Sequence, residues 1–178
     1  MKTLTLLRHA KSSWDEATER DFDRPLNDRG RRAARRIGLE MGKLGLDYDR
    51  VIASPATRVI QTLRDVEEGN GRPLAADFDR RLYLAPTELL LEIVHTAGDE
   101  AASLLLVGHN PGLESLALWL SGESAKRTEL AIKYPTGTIA EMRFPIERWA
   151  DVGKGVGTLT RFIRPRDLDP ELGPDDEG

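Results

Sequence analysis

No cysteine occurs among the 178 residues. That excludes a disulfide framework, a thiolate metal site and a cysteine nucleophile together. Long apolar runs are also missing. The N-terminal MKTLTLL is cut off at Arg8, and no stretch approaches the roughly 18 apolar residues of a membrane span. A soluble, cytoplasmic chain with no membrane partner is expected. Internal repeats and low-complexity blocks are absent, and histidine is confined to His9, His95 and His109. What is present is one domain's worth of chain, 39% apolar, long enough to bury a proper core. With 26 basic and 30 acidic residues its formal charge is −4, an acidic balance that argues against bulk nucleic-acid binding.

The acidity is unevenly spread. Residues 165–178 hold Asp167, Asp169, Glu171, Asp175, Asp176 and Glu177 against Arg166 alone, so the rest of the chain is close to neutral. Three prolines and only two leucines in that stretch cannot bury enough surface to offset its ordering entropy. The expectation is one domain over residues 1–164 followed by an acidic, flexible tail over 165–178. A tail strapped down through Leu168 and Leu172 is the alternative.

Strand and helix signals alternate along the body. Thr3–Leu7 is a short β-rich run. Asn27 is a good N-cap for a helix bearing Ala33, Ile37, Met41 and Leu44 and closed by Gly45. Val51–Ala53 is a second strand, and Ser54-Pro55 carries the cap-plus-proline signature of a helix running to about Glu68. A further helix opens at Ala85-Pro86-Thr87. Ser103–Val107 is a buried strand leading through Gly108-His109-Asn110-Pro111 into a helix ending near Leu120, and residues 137–144 and 157–163 close the pattern as late strands. This alternation predicts an α/β fold, a three-layer α/β/α domain with a mostly parallel central sheet. Ligands in such sheets bind at the carboxyl ends of the strands.

Those ends carry unusual residues. The first strand runs into Arg8-His9, the second into Ser54-Pro55 with Arg58 one turn on, and the Ser103–Val107 strand into Gly108-His109. A single histidine is more often a satisfied structural residue. Two of three at equivalent strand ends, with arginines beside them, point to a site. Guanidinium groups repel a divalent cation but offer a planar fork that suits phosphate, so an anion site is favoured over a metal site. Helix starts after Ser54 and Asn110 add backbone N–H donors, and Asn110 is counted with the phosphate ligands. In such a site a neutral imidazole can attack phosphorus in line and carry the phosphoryl group, while a second, protonated imidazole stabilises the equatorial oxygens.

Four blocks carry a family resemblance. Leu7-Arg8-His9-Ala10-Lys11-Ser12-Ser13-Trp14 resembles the arginine-histidine-glycine motif of the histidine phosphatase superfamily, which includes the cofactor-dependent phosphoglycerate mutases. Arg24-Pro25-Leu26-Asn27-Asp28-Arg29-Gly30, Ser54-Pro55-Ala56-Thr57-Arg58 with Gln61-Thr62, and Gly108-His109-Asn110-Pro111-Gly112-Leu113-Glu114 resemble its later blocks, in order, over about residues 1–163. The first and last variants are most similar to the small phosphohistidine phosphatases of the SixA type. The resemblance implies a phosphoglycerate mutase-like fold, with His9 as nucleophile and Arg8, Arg58 and His109 on the phosphate. It implies no cofactor.

Departures from the family pattern narrow the substrate. Ala10 replaces the motif glycine, and Asp15 stands where the mutases have asparagine, so phosphate binding is not carried onto Asp15. The acid that many relatives supply after a middle strand falls near Arg81-Leu82-Tyr83-Leu84, with Leu84 at the donor position. An alkoxide leaving group gains about 10²–10⁴ from a general acid, whereas imidazole, with a pKa of about 6.5, departs readily near neutral pH. The expected activity is therefore hydrolysis of phosphohistidine, on a protein or a small molecule, through a phosphohistidine enzyme intermediate. Glu88, Asp15 or Glu114 remain as donors from elsewhere. The alternatives are a phosphomonoesterase acting on a small phosphorylated metabolite and a non-catalytic phosphate-binding module. The basic run Arg29, Arg31, Arg32, Arg35 and Arg36 reads as a solvated helix face, His95 as structural, and Trp14 as pocket rim or loop packing. Oligomeric state is not legible.

Overall fold

Strand β1 (Lys2–Arg8) sends Leu4 and Leu6 to one side and Leu7 to the other, and all three are fully buried. Strand β4 (Ser103–Gly108) repeats the pattern, with Leu104 and Leu106 opposite Leu105 and Val107. Strands that are apolar on both faces must be covered on both. On one face lie helices α1 (Asp28–Lys43), through Ala34, Ile37 and Met41, and α2 (Thr57–Asn70), through Val59, Leu63 and Val66. The other is covered by α3 (Thr87–His95), α4 (Gly112–Leu120) and α5 (Ala125–Ile132), which contribute Ile93, Leu116 and Leu130 among others. The result, in a computed structural model that describes residues 1–15 and 20–173, is the expected three-layer α/β/α arrangement.

The remaining strands are β2 (Arg50–Ala53), β3 (Asp77–Phe78), β5 (Ile139–Phe144) and β6 (Thr158–Ile163), and the sheet order is β3-β2-β4-β1-β5-β6. Strands β1 to β4 pair in parallel, while β5 runs antiparallel to both β1 and β6. The sheet is thus mostly parallel. Register places Arg8 beside Gly108, so the chain leaves β1 and β4 at the same edge.

Helix α1 is capped as expected, the Asn27 side chain accepting from Gly30 N at 2.8 Å. Its close approach to α2 depends on Gly38, where a Cβ would lie 2.1 Å from the Val66 carbonyl oxygen. Two helix starts differ from the expectation. Helix α2 begins at Thr57, with Ala56 as a cap lacking side-chain support, and the Ser54 hydroxyl ahead of it accepts from Ala56 N at 3.2 Å and meets His109. Helix α4 begins at Gly112, after a cis Asn110–Pro111 bond.

The expected flexible tail is corrected over residues 165–173. A short helix α6 (Pro165–Leu168) and one further turn, Pro170–Leu172, fold back onto the body; Pro165 and Leu172 are buried, and Arg29 Nη2 donates to the Leu172 carbonyl at 2.9 Å. Two apolar anchors and a guanidinium bond supply what composition alone did not reveal. Asp175, Asp176 and Glu177 lie outside the described residues.

Candidate active site

The edge where β1 and β4 end gathers four buried side chains. Arg8 is the last residue of β1, 7% exposed, and His9 extends the ladder by donating its backbone N–H to the Gly108 carbonyl at 3.1 Å. His109 follows β4 directly. The two imidazoles therefore face one another, with ring centroids 5.3 Å apart and planes tilted by 55°. Arg58, 2% exposed in the first turn of α2, brings Nη2 to 3.3 Å from His109 Nδ1. The structure thus brings Arg8, His9, Arg58 and His109 together, as the sequence pattern predicts.

Hydrogen bonds settle both tautomers. His9 Nδ1 lies 2.7 Å from the Ala10 carbonyl, which can only accept, so Nδ1 carries the proton and Nε2 presents its lone pair. His109 is the mirror case. Arg58 can only donate, so Nδ1 accepts and Nε2–H donates to Ser54 Oγ at 2.8 Å. Burial first, then the charges of His109, Arg8 and Arg58, holds the His9 pKa well below 6.5, against the opposing pull of the Ala10 bond. Burial and Arg58 likewise lower His109 to about 3. The cations and dryness of the pocket itself thus favour a neutral His109, and the expected protonated form needs the added charge of a phosphoryl group.

Asp21, which the sequence pattern did not single out, completes the site together with Tyr83 and residues of the motif blocks. Asp21 accepts from Arg58 Nη2 at 3.0 Å through Oδ2 and from Arg24 Nε at 3.1 Å through Oδ1, while its backbone carbonyl accepts from Arg58 Nη1 at 2.7 Å. The Tyr83 hydroxyl donates to Asp21 Oδ2, and its ring packs edge-on against His109 at 5.4 Å. Partial burial would raise the Asp21 carboxyl, but Tyr83 and Arg58 outweigh it and hold it at about 2. Arg24 donates to Ser12 Oγ and stacks over Trp14, 3.4 Å from the ring centroid. Thr62 Oγ1 ties two blocks together, accepting from Ala10 N and donating to the Arg58 carbonyl. Gly30 admits the loop after the nucleophile: a Cβ there would lie 2.1 Å from the Lys11 carbonyl oxygen.

Asn110 has a different part from the one expected. Its Nδ2 donates to the Tyr134 carbonyl at 3.1 Å, the same oxygen that accepts from Arg8 Nη1, and its Oδ1 accepts from Glu114 N at the start of α4. The side chain fastens the Tyr134 loop to Arg8 and α4. That loop forms one wall, and Gly137, at φ +72°, donates to the carbonyls of both Arg8 and His9. Leu84 is exposed at φ +49°, and Asp15 is exposed on the far side of Trp14 in the chain. The basic run of α1 is largely engaged, with Arg31 and Arg35 on Asp65 and Arg36 on Glu40. His95 is structural, its Nε2 on the Val152 carbonyl at 2.8 Å. Among the described residues no three His, Asp or Glu side chains gather around a common point that could hold a metal, and no helix is long and apolar enough to cross a membrane.

The chain is similar to known proteins in sequence and in fold. The family model for the histidine phosphatase superfamily (branch 1) matches residues 4–83. An uncharacterized protein of Mycobacterium tuberculosis is 36% identical over 167 residues, 90% of this chain and all of that one. A crystal structure assigned as a candidate phosphohistidine phosphatase SixA from Agrobacterium tumefaciens superposes with a TM-score of 0.78 at 29% identity, covering 92% of this chain and 98% of that one. The protein histidine phosphatase SixA in complex with tungstate shares the fold, with a TM-score of 0.76 at 24% identity over 94% of this chain and 99% of that one.

Proposed function

The chain belongs to the histidine phosphatase superfamily and is a hydrolase, a phosphatase of SixA type, and from that premise we propose that it hydrolyses phosphohistidine through a phosphorylated His9. The observation that carries the reading is the tautomer of His9. With Nδ1–H spent on Ala10, the Nε2 lone pair is the free base of the pocket, uncharged at neutral pH and flanked by buried guanidinium groups.

In the first step His9 Nε2 attacks phosphorus, the bond from phosphorus to the substrate nitrogen breaks, and its electron pair stays on that nitrogen. Arg8 and Arg58 bind the equatorial oxygens, and Arg58 keeps a buried Nε–H with no hydrogen-bond partner among the described residues. A dianion between them raises the His109 pKa by its charge. A proton on Nδ1 then turns His109 from an acceptor of Arg58 into a donor to the phosphoryl group. In the second step water attacks the phosphoenzyme and releases phosphate. Asn110 serves by holding the Tyr134 carbonyl that fixes Arg8.

Preference for a nitrogen-linked phosphoryl group is supported by what surrounds the site. Leu84 stands at the position where the family resemblance implies an acid in many members, and the carboxylate that does approach, Asp21, is held ionised and cannot donate a proton near neutral pH. The test is single-turnover dephosphorylation of a phosphohistidine protein beside a panel of sugar phosphates. Phosphohistidine should be cleaved faster, and His9→Ala should abolish both turnover and the acid-labile phosphoenzyme. Faster cleavage of an alkyl phosphate would make the chain a phosphomonoesterase. Turnover retained by His9→Ala would reject the nucleophile.

A further inference from the structure

Asp21 is an odd neighbour for a phosphate pocket. A carboxylate 3.0 Å from Arg58 Nη2 repels the incoming dianion, yet three groups, Arg24, Arg58 and Tyr83, hold it there. Were its only task to orient Arg58, the Asp21 backbone carbonyl already binds Nη1 at 2.7 Å. The side chain is not sealed in: it stays 41% exposed, whereas that of Arg58 beneath it is 3% exposed. It therefore lies on the solvent side of the phosphate-binding guanidinium. An in-line displacement sends the leaving group away from the buried His9, and a leaving group that is a side chain of another protein has to depart on an open side of the phosphate.

We propose that Asp21 is a specificity-determining residue that recognises the departing imidazole, accepting a hydrogen bond from the ring nitrogen remote from phosphorus. The inference rests on the phosphohistidine reading and deepens it. In the protonated substrate the remote nitrogen carries a hydrogen. His9 Nε2 forms its bond to phosphorus, the old phosphorus–nitrogen bond breaks with its electron pair left on the departing nitrogen, and the hydrogen remains on the remote nitrogen, facing Asp21. The product is neutral imidazole, and no proton moves between enzyme and substrate. A carboxylate beside the leaving group favours the cationic ring before bond breaking and disfavours an alkyl or aryl phosphate, which brings no such hydrogen. With an ionised acceptor in Asp21 the site needs no general acid for this substrate, because its leaving group arrives already protonated. Tyr83 positions that acceptor.

The experiment compares kcat/KM on a phosphohistidine protein with kcat/KM on p-nitrophenyl phosphate for the wild type, Asp21→Asn and Tyr83→Phe. A charge-assisted hydrogen bond lost from the leaving group should lower the ratio of the two constants by about tenfold or more in Asp21→Asn, with KM on phosphohistidine bearing most of the loss because the ring is cationic before bond breaking and neutral after it. Tyr83→Phe should lower it less. A folded Asp21→Asn whose ratio stays within about threefold of wild type overturns the assignment, since a purely structural role moves both substrates together. Should that variant fail to fold, the wild type alone decides. N-phosphoimidazole is compared with its N′-methylated form, which lacks the hydrogen, each rate divided by that in buffer. A tenfold preference for the first supports the proposal, and equal values overturn it. A wild type inert toward phosphohistidine yet active on p-nitrophenyl phosphate fails the underlying reading instead and takes this proposal with it.

Discussion

His109 occupies a pocket that charges it only at a cost. Its pKa is lowered from 6.5 to about 3 in the folded protein, so between those values the unfolded chain takes up a proton that the folded one refuses, and acid favours unfolding. From pH 6.5 to pH 5 this residue alone should remove about 2 kcal/mol of stability. Urea unfolding at pH 7, 6 and 5 should show that slope in the wild type and a shallower one in His109→Gln, and identical slopes would contradict the neutral state. His9 is shifted in the same direction, so the acid limb of turnover that reports its protonation should fall below pH 6.5. Ser54 can be tested likewise. Ser54→Ala strands the His109 Nε2–H, and a loss of about 1–3 kcal/mol in transition-state binding is expected in kcat/KM. The positions of Arg8, His9, Arg58 and His109 were legible in the sequence because each follows an apolar run that ends at the sheet edge. Asp21 and Tyr83 were not. Asp21 meets Arg58 across 37 residues from a polar segment with no periodicity, and Ser54 before Pro55 resembles an ordinary helix cap although its hydroxyl serves the histidine.

Helices α1 and α2 meet through backbone as much as through side chains. At Gly38 an added methyl group runs into the Val66 carbonyl, which belongs to a helix and cannot give way cheaply. Gly38→Ala should destabilise by about 1–3 kcal/mol and lower the melting temperature by roughly 2–12 °C, measured calorimetrically. Because Arg58 rides on α2, the same substitution should also raise KM for phosphohistidine. The long elements were readable, since their apolar positions recur at helical or alternating spacing over many residues. Strand β3, two exposed residues long, offers no alternation to read. Helix α5 buries only Leu130, so its amphipathic signal is faint.

Across the whole molecule, chain order and spatial order diverge at the C-terminal side. Residues 165–173 come after the last strand but pack beside α1, close to the loop that follows the nucleophile. Their acidic composition masked two anchors, Pro165 and Leu172. Leu172→Ala should cost about 1–2 kcal/mol in urea unfolding and open the strap to limited proteolysis before the core is cut. An unchanged cleavage pattern would show that the anchor is dispensable.

The direction of β1 has a practical consequence. Its seven residues carry the chain roughly 20 Å from Met1 to the catalytic edge, and the Met1 amino group sits exposed beside Glu147 at the opposite end. Leu172, by contrast, shares a crevice with Lys11, Arg29 and Thr136 beside the nucleophile loop. A purification handle or fluorescent fusion joined ahead of Met1 therefore leaves the catalytic mouth clear. The same cargo joined directly after Gly173, the last described residue on that side, would start beside the nucleophile loop and would compete with a phosphorylated substrate for access.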